Sequence, residues 1–320
     1  VIPSQHEYAF DPTHGYDLET LLALTPPPSP ADFTSFWQTR YERVLTIDPA
    51  PTLTPAPSPE PLFRCFDLSY RSTEAITIHG WLLCPREGPI VRGLILGHGY
   101  GGIDHPQISP RLAGTAYLVP CFRGLARSQQ PPISPHPAWH VLHDIDKPQR
   151  YILGGCVEDL WLAVSTLVSL FPALEGHLAY LGISFGGGIG ALAMPWETRV
   201  QRWHFNVPSF GHHPLRLQLP CIGSAAAIQQ FQRQRENFNV LDTLQYYDAV
   251  TAAQHMTRPV HVAAARFDPA VPPAGQFAIY NALPATRQLF VLDAGHADYP
   301  GRAEQTQALL QDLQDFLRPL

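Results

Sequence analysis

The stretch 178-LAYLGISFGGGIGALAM-194 decides how the rest of the chain is read. Its first part, LAYLGI, is an apolar run of strand length, and FGGGIGALAM has the small apolar residues of a buried helix start. Ser184 stands at the junction, with Gly182 and Gly186 two residues away on either side. The pattern G-x-S-x-G arises by accident about once in ten chains of this length, so alone it is weak. Its context strengthens it. In a strand-to-helix turn, flanking glycines allow backbones to approach closely and the serine sits on a tight, strained bend. Its hydroxyl then projects above the sheet edge, at the helix end whose dipole favours negative charge. The structural alternative is a glycine-rich packing contact between strand and helix.

Outward from this turn the chain alternates. Strand-like runs at 91-VRGLILG-97, 116-AYLVPC-121, 203-WHFNV-207, 259-PVHVAAA-265 and 288-QLFVLD-293 are separated by helical or loop segments. Helical spacing marks 156-CVEDLWLAVSTLVSLF-171, with two acids in its expected first turn, and 302-RAEQTQALLQDLQDFLRPL-320. Such alternation predicts a mostly parallel sheet with helices on both faces. Before it, 32-DFTSFWQTRYERVL-45 has helical spacing with Asp32 as N-cap, and 63-FRCFDLSY-70 and 75-AITIHGWLLCP-85 suit a hairpin. Proline is about twice as common as usual. Its clusters at 25–30, 49–61 and 131–137 are short enough to be stiff surface connections rather than linkers. The expectation is one α/β domain over residues 1–320, whose Pro-rich extension, 1–62, carries one helix and packs on the rest.

A serine nucleophile needs a base, and the base needs an orienting acid. The strand ending at Ala265 leads into 266-RFDPAVPP-273, and the strand ending at Asp293 into 294-AGHADYPG-301. Asp268 and His296 thus follow Ser184 in the order Ser, Asp, His, each just past a strand. Asp293 lies within its strand and Asp298 follows the histidine, which leaves Asp268 the better candidate. An oxyanion requires two backbone N–H donors. One belongs to Phe185, after the nucleophile; the other, in the Gly-rich loop 97-GHGYGG-102, is assigned to Tyr100. No GxGxxG or Walker pattern is present, so that loop is not read as a phosphate cradle. His98 is read as holding the loop in shape.

Composition excludes several classes. A net charge of −6 without a basic stripe argues against nucleic acid. The five cysteines are widely spaced with no CxxC pair, so no zinc site or disulfide framework is indicated, and each is read as a small buried hydrophobe in a reducing compartment. The opening VIPSQHEYAF lacks the charged and apolar regions of a leader, and the apolar stretch near 160–171 is read as too short to span a membrane. A cytoplasmic protein without metal or organic cofactor is expected.

With these residues in hand, the chain resembles the acetyl xylan esterases and cephalosporin-C deacetylases of the α/β-hydrolase fold. DFTSFWQTRYERVL, IHGWLLCP, HGYGG, FRGLARS, HVLHDIDKPQRYILGGCVEDLW, GISFGGG, NVLDTLQYYDAV and DPAVPP followed by GH fall in family order, from about residue 30 to the end. The resemblance implies serine-ester chemistry on small acetyl groups carried by sugars or cephalosporin-type compounds. It also implies an α/β-hydrolase fold and a cytoplasmic homo-oligomer, often a hexamer. Departures concern the pocket. The family's glutamines in the Arg-Gly-Gln turn and at the elbow are here Leu125 and Phe185, and its glutamate after the histidine is Ala297. Phe185 is expected to make the pocket smaller and more apolar. Tyr100, Phe185, Pro208 and Phe210 are candidates for the acyl pocket, with core packing the alternative for the last two. A general short-chain carboxylesterase and a catalytically silent relative remain open. A peptidase of this fold would carry a propeller, for which the residues preceding Val91 leave no room.

Overall fold

The computed structural model describes residues 6–235, 237–284 and 286–320. Residues 1–5, which open the stretch read for a leader, lie outside the described residues. The alternating region builds the sheet. Its strands are β1 (Thr52–Ala56), β2 (Phe63–Arg71), β3 (Thr77–Pro85), β4 (Arg92–Gly97), β5 (Thr115–Pro120), β6 (Leu178–Ile183), β7 (Arg202–Asn206), β8 (Val260–Ala265) and β9 (Arg287–Leu292), in the order β1-β2-β3-β5-β4-β6-β7-β8-β9. The hairpin side is antiparallel as far as β5, and every pairing from β5 across to β9 is parallel. Strands β5 and β8 are buried at every position, which is why they read as unbroken apolar runs rather than alternating ones.

The helices are α1 (Leu18–Leu22), α2 (Phe33–Leu45), α3 (Pro137–His140), α4 (Ile152–Leu170), α5 (Phe185–Ala193), α6 (His213–Arg216), α7 (Ser224–Arg233), α8 (Leu241–Leu244), α9 (Ala249–Ala253), α10 (Pro273–Ala282) and α11 (Arg302–Leu317). The extension holds more than the one helix expected, since α1 and β1 form there as well as α2. Asp17 caps α1, accepting from the Thr20 N–H at 2.8 Å. Asp32 stands at the start of α2 but does not cap it; its carboxylate accepts from the Tyr246 hydroxyl instead. The apolar stripe of α2 buries Phe33, Trp37 and Val44. Trp37 meets Trp161 and Tyr247 edge-on and donates its indole N–H to the Tyr246 carbonyl, which fixes the extension on the domain.

Helix α4 differs from its expected form in two ways. It starts at Ile152, so Glu158 and Asp159 lie in its interior rather than in a first turn. They answer arginines, not the helix dipole. Arg123 grips Asp159 with Nε and Nη2 at 3.0 and 2.7 Å, while Glu158 binds Arg40 and Arg43 at 3.0 and 2.6 Å. Burial pushes the Glu158 carboxyl up, but Arg40, the hydrogen bond donated by the Thr73 hydroxyl, and the charges of Arg123 and Arg43 hold it below its usual range. Two glycines in its first turn make room for the guanidinium groups. A Cβ on Gly154 would stand 2.5 Å from Arg40, and one on Gly155 2.4 Å from Arg123. Second, its 19 residues are long and apolar enough to cross a membrane by length and composition, against the expectation from 160–171. The apolar window is 83% buried, because α4 is a core helix packed on α2, α5 and the sheet.

Two features of the sheet set where a site can form. The chain lays β5 on one side of β4 and β6 on the other, and Gly97 pairs with Gly182 at their carboxyl ends. The loops after β4 and β6 therefore leave the sheet side by side at its switch point, where open α/β sheets bind ligands. The two faces are covered unequally. One carries the large core with α2, α4, α5, α9 and α10. The other is covered by α11 and by residues 98–114, which join β4 to β5 without a helix.

Candidate active site

Ser184 occupies the bend between β6 and α5 with φ 54° and ψ −112°, a conformation that costs a non-glycine residue about 1–3 kcal/mol. The surroundings hold it there. Its N–H donates to the Asn206 carbonyl at 2.8 Å, and its own carbonyl accepts from Gly188 and Ser209, each at 3.0 Å. Gly186 lets α5 approach the β4 loop: a Cβ there would meet the Gly97 carbonyl oxygen at 2.4 Å. Its N–H donates to the His98 carbonyl at 3.0 Å.

The histidine and acid arrive from β9 and β8. His296 Nε2 lies 2.8 Å from Ser184 Oγ, and Nδ1 lies 2.7 Å from Asp268 Oδ2. A carboxylate only accepts, so Nδ1 carries the proton and Nε2 presents its lone pair to the serine hydroxyl. Burial disfavours the imidazolium, but the hydrogen bond and charge of Asp268 outweigh it and raise the His296 pKa. Asp268 is fully buried. Its Oδ1 accepts from the N–H groups of Ala270 and Val271, and its Oδ2 from the Gln276 amide, all at 2.9 Å. The competing Asp298 turns to Arg302 on the surface. Gln276, not foreseen from sequence, is itself locked: its amide also donates to the Val271 carbonyl, and its oxygen accepts from the Ala265 N–H. The available signal was a lone glutamine inside the apolar helix 273-PAGQFAIYNA-282.

The loop after β4 closes over the serine. Gly99 lies so near that an added Cβ would stand 3.4 Å from Ser184 Cβ. His98 does hold this loop, donating from Nδ1 to the Gly99 carbonyl and accepting the Phe122 N–H at Nε2. Among the described residues the backbone N–H groups of Tyr100 and Phe185 have no internal partner. The Tyr100 ring lies tilted against Phe185 with centroids 4.2 Å apart. Its hydroxyl donates to His140 Nδ1 at 3.1 Å, and His140 Nε2 donates to the Arg123 carbonyl at 2.9 Å. Burial keeps this imidazole neutral, its pKa pushed down to about 4.

A cavity of about 710 Å³ opens above Ser184 and His296. Tyr100 lines it, but the other acyl-pocket candidates do not. Phe185 is fully buried within the rings of Tyr100, Phe122, His140 and Phe210, so it neither narrows the cavity nor makes it more apolar. The residue after Ser184 begins α5, and its side chain turns into the core. Phe210 is buried against Phe185 and Gly188, and Pro208 lies over Gly187. The residue between them, Ser209, reaches the cavity instead. The remaining wall comes from α7 and its approach, including Ile222, Ala227 and Gln230, and from 136–138. Nothing in those segments carried a sequence signal. Among the described residues no group of three or more His, Cys, Asp or Glu is placed to hold a metal ion.

The sequence profile of the acetyl xylan esterase (AXE1) family matches residues 17–314. Among solved structures, an acetyl xylan esterase from Paenibacillus sp. R4 superposes with a TM-score of 0.77 at 21% identity, covering 93% of this chain and 99% of that one. Acetyl xylan esterase 1 from a Thermoanaerobacterium species gives 0.77 at 22% identity, covering 95% and 99%. An acylaminoacyl peptidase from Pyrococcus horikoshii gives 0.62 at 12% identity, with 80% of this chain matched to 41% of that protein. These likenesses establish a shared α/β-hydrolase fold.

Proposed function

The chain belongs to the acetyl xylan esterase family, a family of carboxylic ester hydrolases acting on acetyl esters, and from that premise we propose that Ser184, His296 and Asp268 carry out the hydrolysis through an acyl-enzyme. The unbroken chain of contacts from Asp268 Oδ2 through His296 to Ser184 Oγ, at 2.7 and 2.8 Å, is the observation that carries this reading. His296 takes the serine proton as Oγ attacks the ester carbonyl, and Asp268 stabilises the imidazolium that forms. The N–H groups of Tyr100 and Phe185 receive the oxyanion, each such donor being worth about 10²–10³ in rate. The imidazolium then protonates the departing alcohol. Water, deprotonated by the same imidazole, releases acetate. For the alcohol half we propose acetylated sugars or cephalosporin-type compounds.

A second reading, a general short-chain carboxylesterase, draws support from the cavity. Its 710 Å³ far exceeds what an acetyl group fills, and Phe185, the bulky residue after Ser184, does not line it. Rates on acetyl, butyryl and octanoyl p-nitrophenyl esters, with Ser184→Ala as blank, separate the readings. A steep fall beyond acetyl, abolished in the variant, is the result expected for a deacetylase. Equal or higher rates on longer chains would establish the broader esterase. Absence of variant-sensitive hydrolysis on all three would overturn both.

A further inference from the structure

The sheet face that carries α11 holds a second cavity, of about 480 Å³, which adjoins the catalytic one. It exists because residues 98–114 return from β4 to β5 without the helix that would otherwise cover this face. Strand register sets its floor. Leu96 pairs with Leu181, Leu181 with His204, and His204 with His261, so all four share one face. Asn206, two residues beyond His204, faces the same way. Leu309, Leu310 and Leu313 of α11 form a wall, and among the described residues no Asp, Glu, Lys or Arg lines the cavity.

Its polar end is built from behind. His261 Nε2 lies 3.0 Å from Asp312 Oδ2, and His261 Nδ1 lies 3.0 Å from His204 Nδ1. Burial lowers the pKa of both imidazoles and keeps them neutral, although Asp312 pulls that of His261 the other way. Asp312 only accepts, so the His261 proton sits on Nε2 and its Nδ1 must accept. His204 therefore donates from Nδ1 and is left with a bare lone pair on Nε2. The His204 side chain is only 4% exposed, lines this cavity, and has no protein partner at Nε2 among the described residues. Asn206 supplies an amide to the same cavity that makes no hydrogen bond among the described residues, its Oδ1 being buried without a partner. An acceptor and an amide two residues apart on an aliphatic floor match one hydroxyl, which donates to the first and accepts from the second.

We propose that this cavity binds a small neutral alcohol or phenol, its hydrocarbon body against Leu181, Leu309 and Leu313 and its hydroxyl between His204 Nε2 and the Asn206 amide. A volume of this size suits a compact organic molecule. The cavity shares Gly99, Gly102 and Ile183 with the catalytic one, so two sources of such a ligand exist. One is the alcohol half of the substrate ester, reaching past Ile183. The other is a free alcohol or phenol acting as a separate ligand.

The test uses 4-ethylphenol titrated calorimetrically into Ser184→Ala, which removes turnover from the measurement. Saturable binding with one molecule per chain is expected. Leu310→Trp, which fills the cavity, and His204→Phe, which removes the acceptor, should each weaken it at least about tenfold. Ala227→Trp, which fills the catalytic cavity, should leave it unchanged. Leu310 is half-buried on the helix surface, so that variant retains the fold even where His204→Phe does not. Absence of saturable binding overturns the proposal. So does binding that survives Leu310→Trp or is lost only with Ala227→Trp. In active enzyme hydrolysing phenyl acetate, competitive inhibition by 4-ethylphenol assigns the cavity to the substrate alcohol, and non-competitive behaviour to a separate ligand. The calorimetric result stands whether or not the chain hydrolyses esters, so its failure is distinguishable from failure of the esterase reading.

Discussion

Replacing Gln276 by leucine tests how the acid of the site is held. The side chain fills the same space but loses three hydrogen bonds: to Asp268 Oδ2, to the Val271 carbonyl and from the Ala265 N–H. Leaving the buried Ala265 N–H unpaired costs about 1–3 kcal/mol, and removing a donor from a buried carboxylate about 1.5–3 kcal/mol. The variant should therefore be about 3–5 kcal/mol less stable by urea unfolding. The catalytic effect has its own signature. Asp268 keeps both backbone donors on Oδ1, but Oδ2, the oxygen that receives His296, is no longer fixed by a second donor. A loss of about 1.4–2.7 kcal/mol in transition-state stabilisation means kcat lower by about 10- to 100-fold with KM little changed. The lost donor also leaves more charge on Oδ2, which favours the His296 imidazolium further. The acid limb of kcat/KM on p-nitrophenyl acetate should accordingly move to higher pH. Gln276→Glu should not rescue, because it sets a second carboxylate against Oδ2 in the protein interior. A folded Gln276→Leu enzyme with kcat within about twofold of the parent and an unmoved acid limb would refute the reasoning, showing the Oδ1 donors sufficient.

Three further outcomes are expected. Because Asp268 raises the His296 pKa, and protonated His296 cannot accept the serine proton, the parent should lose activity as pH falls through a midpoint above 6.5; Asp268→Asn should lower that midpoint and cut kcat about 10³- to 10⁴-fold, and a parent midpoint below 6.5 would contradict the geometry. Asp159→Ala removes the buried carboxylate that Arg123 grips with two nitrogens, leaving the guanidinium only the exposed Glu74 and the Ser72 and Thr73 hydroxyls, and should cost about 3–5 kcal/mol by denaturant unfolding, whereas a loss under about 1 kcal/mol would mean that these remaining partners compensate the cation. Phe185→Ala empties the centre of the ring cluster beneath Tyr100 and should destabilise by about 3–5 kcal/mol while leaving the octanoyl-to-acetyl rate ratio unchanged; a changed ratio would put Phe185 on the pocket wall after all.

Much of the frame was legible because it depends on local pattern. Apolar runs of strand length mark β6 and β8 since a strand covered on both faces needs apolar residues throughout. Gly182 and Gly186 mark the bend because neighbouring backbones leave no room for a side chain. Strand-end positions then point to Asp268 and His296, since a parallel sheet delivers every such loop to one edge. The missed start of α4 has a non-local cause. Helical spacing marks the segment only from Cys156, whereas Gly154 and Gly155 lie inside the helix, where Arg40 and Arg123, distant in sequence, pack against them. The acids of α4 follow the same logic: a dipole reading is local, whereas their partners come from α2 and from the turn after β5.

The sequence by itself determined the order of strands and helices, the strained serine turn and the loops able to supply an acid and a histidine, all consequences of spacing along the chain. Only the tertiary structure decided which neighbours of Ser184 face substrate. Phe185 and Phe210 turn into a shared ring cluster while Ser209, between Pro208 and Phe210, reaches the cavity. It also decided that Gln276 braces Asp268, and that the helix-free return from β4 to β5 leaves His204 beside an open cavity. Whether a side chain meets solvent, core or ligand depends on elements packed around it from elsewhere in the chain, and one-dimensional spacing does not contain that sum.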